Sequence, residues 1–93
     1  MREHEIKPEL SKILNKLFKK DKDAYEQIIN KIDEIIKCQD PEHYKPLRYD
    51  LKNKKRVHIK KSFVLVFSYD KHKNFVSFLD YDHHDNIYNK KLC

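Results

Sequence analysis

The sequence predicts an α+β domain in which a two-helix hairpin packs on one face of a three- or four-stranded antiparallel sheet. Three observations carry that expectation. Two stretches in the first half place apolar residues at helical spacing. Four short stretches in the second half alternate or run apolar at strand spacing, and the connections between them are too short for parallel crossovers. A chain of 93 residues has room for one two-layer core, so residues 1–93 are read as a single domain.

Residues 1–6 hold one large apolar residue after Met1, Ile6, and are read as a short edge strand. Pro8 suits the first turn of a helix, and Leu10, Ile13, Leu14, Leu17 and Phe18 then fall on one helical stripe. After a break at Lys20 to Lys22, Asp23 and Glu26 have capping-box spacing. Tyr25, Ile28, Ile29, Ile32, Ile35 and Ile36 form a second stripe. Residues 39–44, QDPEHY, are read as a loop. LRYDL at 47–51 alternates as a first strand, Asn53, Lys54 and Lys55 are expected to turn, and RVHIK at 56–60 alternates again. In that strand Val57 and Ile59 are expected to face the core, with Arg56, His58 and Lys60 projecting together from the other side. FVLVF at 63–67 is an unbroken run, as in a strand buried on both faces. DKHKN at 70–74 is a hairpin loop and FVSFLDY at 75–81 its return strand, before a turn or short helix at HHDNIYNKKLC.

Apolar and charged residues each make up 39% of the chain, as suits a small soluble protein. No apolar run approaches the ~20 residues that cross a bilayer, and MREHEIKPEL lacks the apolar core of a secretory signal. A cytoplasmic location without membrane association is the resulting expectation. Cys38 and Cys93 make no disulfide framework and are read as free thiols. The net charge of +6 is uneven: residues 1–44 hold nine basic and ten acidic residues, and residues 45–93 hold twelve and five. Eight of the bases lie between Lys45 and Lys61, with Asp50 the one acid among them. Such a concentration is the footprint of a polyanion-binding surface, although a solvated lysine-rich face would look the same.

The chemistry-bearing stretch is DYDHHDNIY, Asp80 to Tyr88, at the end of the last strand. It could hold a metal through Asp80, Asp82, His83, His84 and Asp85, but alternate residues of an extended segment point apart, so two or three at most would converge. No metal and no cofactor are therefore expected. Fixed cations at Arg56 and Lys60 with histidines nearby suit phosphodiester chemistry. The cations neutralise charge growing on phosphoryl oxygens, and imidazole exchanges protons near neutrality. On RNA the 2′-hydroxyl can serve as the nucleophile, so neither metal nor protein nucleophile is required.

Pro46-Leu47, the strand RVHIKKSFVLVF from Arg56 to Phe67, Asp70 in the next hairpin and the ending HHDNIY from His83 to Tyr88 together resemble the RelE/ParE superfamily of toxin–antitoxin toxins. The likeness spans nearly the whole chain and is greatest to the RelE branch with its YafQ-like messenger-RNA endonucleases. The resemblance implies that His84 is the catalytic acid for the leaving 5′-oxygen and His58 the base or a phosphate ligand. It implies that Tyr88 stacks on or orients a base and that Arg56 and Lys60 serve the phosphate, while the basic concentration around them makes Lys45, Arg48, Lys54, Lys55 and Lys61 the expected RNA-binding residues. It further implies cleavage of mRNA on the translating ribosome and a RelB-like antitoxin partner, in an assembly that could be a heterotetramer. Val64, Ser62 and Lys45 depart from the pattern, standing where relatives carry arginine, aspartate and histidine. A ParE-like gyrase poison shares the fold without being a nuclease, but needs no histidine near its C-terminus. A metal-dependent nuclease built on the acid–histidine cluster is the third reading.

Overall fold

The computed structural model describes residues 3–39, 44, 46–48, 51–60 and 62–89. Helix α1 spans Pro8–Lys20, with the proline in its first turn and Leu10 and Leu14 buried. Helix α2, Lys22–Lys37, buries Ala24, Ile28, Ile32, Ile35 and Ile36. Only Asp21 separates the two helices, because its N–H still bonds the Leu17 carbonyl at 2.7 Å. The cap of α2 therefore falls to Asp21, whose side chain accepts the Ala24 N–H at 3.2 Å, and not to Asp23 as the spacing suggested. Asp23 sits one turn from Gln27 and accepts its amide at 2.9 Å.

The sheet has five strands: β1 Glu3–Ile6, β2 Pro46–Arg48, β3 Leu51–Ile59, β4 Phe63–Asp70 and β5 Phe75–His83, in the order β1-β5-β4-β3-β2. Strands β2 to β5 form the expected antiparallel meander. β1 adds a fifth, parallel strand beside β5, with Glu3 opposite Phe75 and Ile6 opposite Phe78, so the sheet as a whole is mixed. The turn expected at Asn53, Lys54 and Lys55 is instead part of β3, where Lys55 pairs with Pro46; the connection from β2 falls between Arg48 and Leu51. Strand pairing with Phe67 and Ser68 of β4 overrides the polar composition there, with Lys54 on the open side of β3 and Lys55 carried to the buried side.

One face of the sheet is closed by the helices. Ile59, Leu65, Phe67, Val76, Phe78 and Tyr81 meet the buried stripes of α1 and α2 in the main core. On the other face Val64 and Val66 are also fully buried, under Ile87 of a short helix α3, His84–Asn89, with Leu79 packed alongside. β4 is thus buried on both faces, as FVLVF suggested.

A β-bulge separates the Val66–Asp80 and Phe67–Phe78 pairs, with Leu79 as the additional residue of β5. Without it Asp80 would stand opposite Leu65, under the helices. The bulge reverses the alternation beyond Leu79, sending Tyr81 into the main core opposite Leu65 and Asp80 and Asp82 to the open face opposite Val66 and Val64.

Candidate functional site

The alternation of β3 puts Lys54, Arg56 and His58 on the open face, opposite Ser68, Val66 and Val64 of β4. His58 is exposed and Arg56 half-buried. The two are brought together: Arg56 Nη1 lies 3.5 Å from His58 Nδ1. Arginine only donates, so Nδ1 is the accepting nitrogen in this contact, and a neutral ring would carry its proton on Nε2. Arg56 Nε is buried without a hydrogen-bond partner. A groove of about 330 Å³ between β3 and α2, lined by Gln27, Asn30, Lys31, Glu34, His58 and Lys60, opens beside this pair.

Lys60 does not join them. It follows the end of β3 with a left-handed backbone, φ 57°, uncommon outside glycine. Its Nζ lies 3.4 Å from Asp21 and 3.3 Å from Asp23, at the start of α2. The hydrogen bond that Lys60 donates to Asp23 leads the causes that raise the Lys60 pKa, and the Ala24 N–H leads those that lower that of Asp21. This cluster ties the end of β3 to the helix hairpin, across the sheet from Arg56. Lys55, opposite Phe67, is buried on the helix-packed side and does not share a surface with Lys54.

The acids within DYDHHDNIY shape the junction between β5 and α3. Asp80 accepts the Tyr81 N–H at 2.8 Å. Asp82 accepts the His83 N–H at 2.7 Å and the Asn86 amide at 3.2 Å. Each stands two strands from the basic row, about 10 Å away by ordinary strand spacing. His83 pairs with Phe63, meets its ring edge-on with centroids 5.7 Å apart, and accepts the Asp85 N–H at 3.2 Å, so it anchors the first turn of α3. Phe63 also stacks on Tyr81 at 5.3 Å, and burial pushes the Tyr81 phenol pKa up.

For His84, Tyr88 and Arg48 the backbone gives the position. Ile59, Phe63 and His83 are consecutive register partners, so His84, the residue after His83, begins α3 at the end of the sheet that also carries His58. Tyr88 follows one helical turn later. Arg48 ends β2, opposite Leu51, at the far end of β3 from His58. Lys45 and Lys61 lie outside the described residues.

Sequence reasoning missed Ile87, whose burial over Val64 and Val66 pins α3 to the open face. Its signal was present, as a large aliphatic within an otherwise polar ending. The ties of Lys60 to Asp21 and Asp23 had no comparable signal, because they join residues 39 and 37 positions apart through a left-handed turn without glycine.

No family model matches the chain. The Methanocaldococcus jannaschii protein that bears the name toxin RelE4 is 56% identical over 91 residues, covering 98% of this chain and 95% of that protein. The chain belongs to the RelE family of toxin–antitoxin toxins. Solved structures agree on the RelE fold. A chain of the intact Escherichia coli RelBE toxin–antitoxin complex superposes with a TM-score of 0.69 at 17% identity, covering 89% of this chain and 96% of its own. A metal-bound toxin from Helicobacter pylori gives 0.72 at 23%, covering 94% and 99%. In this RelE chain no group of three His, Cys, Asp or Glu side chains is arranged to hold a metal among the described residues. None of the described helices is long and apolar enough to cross a membrane.

Proposed function

We propose that this RelE-family toxin is an endoribonuclease that cleaves messenger RNA in the cytoplasm, on the translating ribosome and without a metal, and that an antitoxin partner neutralises it. The observation that carries the reading is the Arg56–His58 contact on an open sheet face, at the end of the sheet where the backbone brings His84.

At 3.5 Å the Arg56–His58 contact is at the outer limit of a hydrogen bond. A substrate phosphate is a far better acceptor for the guanidinium. Once Arg56 turns to the phosphate, His58 Nδ1 keeps a free lone pair and can take the proton of the 2′-hydroxyl. The 2′-oxygen attacks phosphorus as the bond to the 5′-oxygen breaks, and His84 supplies the proton that oxygen needs. The products are a 2′,3′-cyclic phosphate and a 5′-hydroxyl, with charge on the phosphoryl oxygens met by Arg56. Lys54, on the same face, serves the RNA backbone. Lys60 acts by holding the end of β3 in place.

The reading is tested by expressing His84→Ala beside the wild type and measuring growth arrest and RNA cleavage. Loss of both at an unchanged protein level is expected. Full arrest and full cleavage by the variant would refute the assignment.

A further inference from the structure

The hairpin between β4 and β5 lies at the opposite end of the sheet from His58 and His84, and nothing in the proposed cleavage uses it. Its tip is shaped by its own side chains. Asp70 accepts the N–H groups of His72 and Lys73 at 3.0 and 3.2 Å, Tyr69 Oη donates to Asn74 Oδ1 at 3.2 Å, and Asn74 closes the turn with φ 53°. Asp70 is thereby engaged within the turn. Lys71 and Lys73 are exposed, and neither pairs with an acid among the described residues. Together with Tyr69, Phe75, Ser68 and Ser77 they line a concavity of about 450 Å³. The nearby carboxylate, Glu5, is held 2.9 Å from Lys7 and accepts the Ser77 hydroxyl at 2.9 Å; the Lys7 hydrogen bond leads the causes that lower its pKa.

The concavity is continuous with the proposed cleavage face. Ser68 is the register partner of Lys54 on β3 and of Ser77 on β5, and Asp70 that of Phe75. His58, Arg56 and Lys54 therefore form a row on β3 that runs towards the end of the sheet carrying the hairpin and its lysines. From Val64, opposite His58, to Asp70 is about 20 Å along β4 at about 3.3 Å per residue. Cations spaced along one face with an aromatic ring, that of Phe75, at the far end are the arrangement that holds a single strand by its phosphates while a base rests on the ring.

We propose that the β4–β5 hairpin is a second RNA-binding subsite, in which Lys71 and Lys73 take backbone phosphates several nucleotides from the scissile bond and Phe75, opposite Asp70 on the open face, meets a base. The proposal rests on the endoribonuclease reading for its substrate class, but it concerns binding and can be measured without cleavage.

The experiment compares wild-type protein, Lys71→Ala/Lys73→Ala and, as a control for net charge, Lys12→Ala/Lys16→Ala on the exposed side of α1. Each is titrated by fluorescence anisotropy with a labelled trinucleotide and with a strand several times longer, over a range of salt. For the hairpin variant, affinity for the longer strand should fall. The slope of log K against log salt should shrink by about 1.4, as expected when two phosphates of a single strand are no longer neutralised. Binding of the trinucleotide should not change, and the α1 variant should keep the wild-type slope. Equal slopes and affinities for wild type and hairpin variant would overturn the proposal, as would an equal fall in the α1 variant. If wild type binds the long strand in this hairpin-dependent way yet leaves a message on translating ribosomes uncut, the nuclease reading fails and the binding subsite stands.

Discussion

The face of the sheet that receives α1 and α2 is filled by Leu65, Phe67, Phe78 and Tyr81 against two complete helical stripes. The opposite face has a thin apolar seal of Val64, Val66, Leu79 and Ile87, with Arg56, His58 and Lys54 beside it. The same strand, β4, supplies residues to both. The comparison teaches a division of labour along its alternation: side chains pointing one way determine whether the domain folds, and those pointing the other way determine what it can bind. The bulge at Leu79 keeps the division clean, since without it Asp80 would enter the core and Tyr81 would leave it.

Substitutions on the two faces should therefore separate stability from activity. The largest effect is expected from Phe67→Ala on the packed face, which should cost about 3–5 kcal/mol by denaturant unfolding. The molecules that remain folded should keep their cleavage rate. His84→Ala should do the reverse, lowering the single-turnover cleavage rate by about 10²–10⁴ with little change in the unfolding midpoint. Ile87→Ala joins the two behaviours. It should destabilise by about 2 kcal/mol, the low end for a buried aliphatic in a thin cluster, and should cost more activity than that loss explains, because α3 carries His84.

Two smaller effects sharpen the distinction between Arg56 and Lys60. Arg56→Ala should slow cleavage about 10²-fold if its guanidinium meets the transition-state charge. Lys60→Ala should slow it a few-fold at most, since its ammonium is directed to Asp21 and Asp23. The charge of Asp21, met first by the Ala24 N–H and then by Lys60, can be read by pH. The Asp21 pKa is depressed in the fold, so its stabilisation is complete above the ordinary aspartate range and fades as pH falls below about 4. Asp21→Asn keeps a side chain able to cap α2 but cannot ionise. It should melt slightly earlier than wild type at neutral pH, and the difference should narrow steadily as pH falls below the ordinary aspartate range, as followed by thermal denaturation.

The architecture was legible because burial imposes periodicity. The stripes at Leu10 to Leu17 and Ile28 to Ile36, and the unbroken FVLVF, announce their packing directly. What escaped were features that composition marks weakly. A chain without glycine gives no sign that Lys60 takes a left-handed backbone or that a lysine-rich segment at 53–55 continues a strand. The cap at Asp21 in place of Asp23 depended on how far α1 ran, which is settled by one hydrogen bond from its backbone to Leu17. At the candidate site, Arg56 and His58 could be paired from alternation alone. The roles of Asp80 and Asp82 could not, because a bulge one residue away decides which face they occupy.

The central claim is that the open face cuts RNA by 2′-hydroxyl attack without a metal. It is tested most directly by following cleavage of an mRNA on translating ribosomes beside the same mRNA carrying a single 2′-deoxy nucleotide at the cleavage position, and identifying the product ends. The account predicts that the all-ribose message is cut to a 2′,3′-cyclic phosphate and a 5′-hydroxyl, and that the deoxy message stays intact. Cutting of the deoxy message at the same position, or the 3′-hydroxyl and 5′-phosphate ends that a metal-activated water leaves, would contradict it.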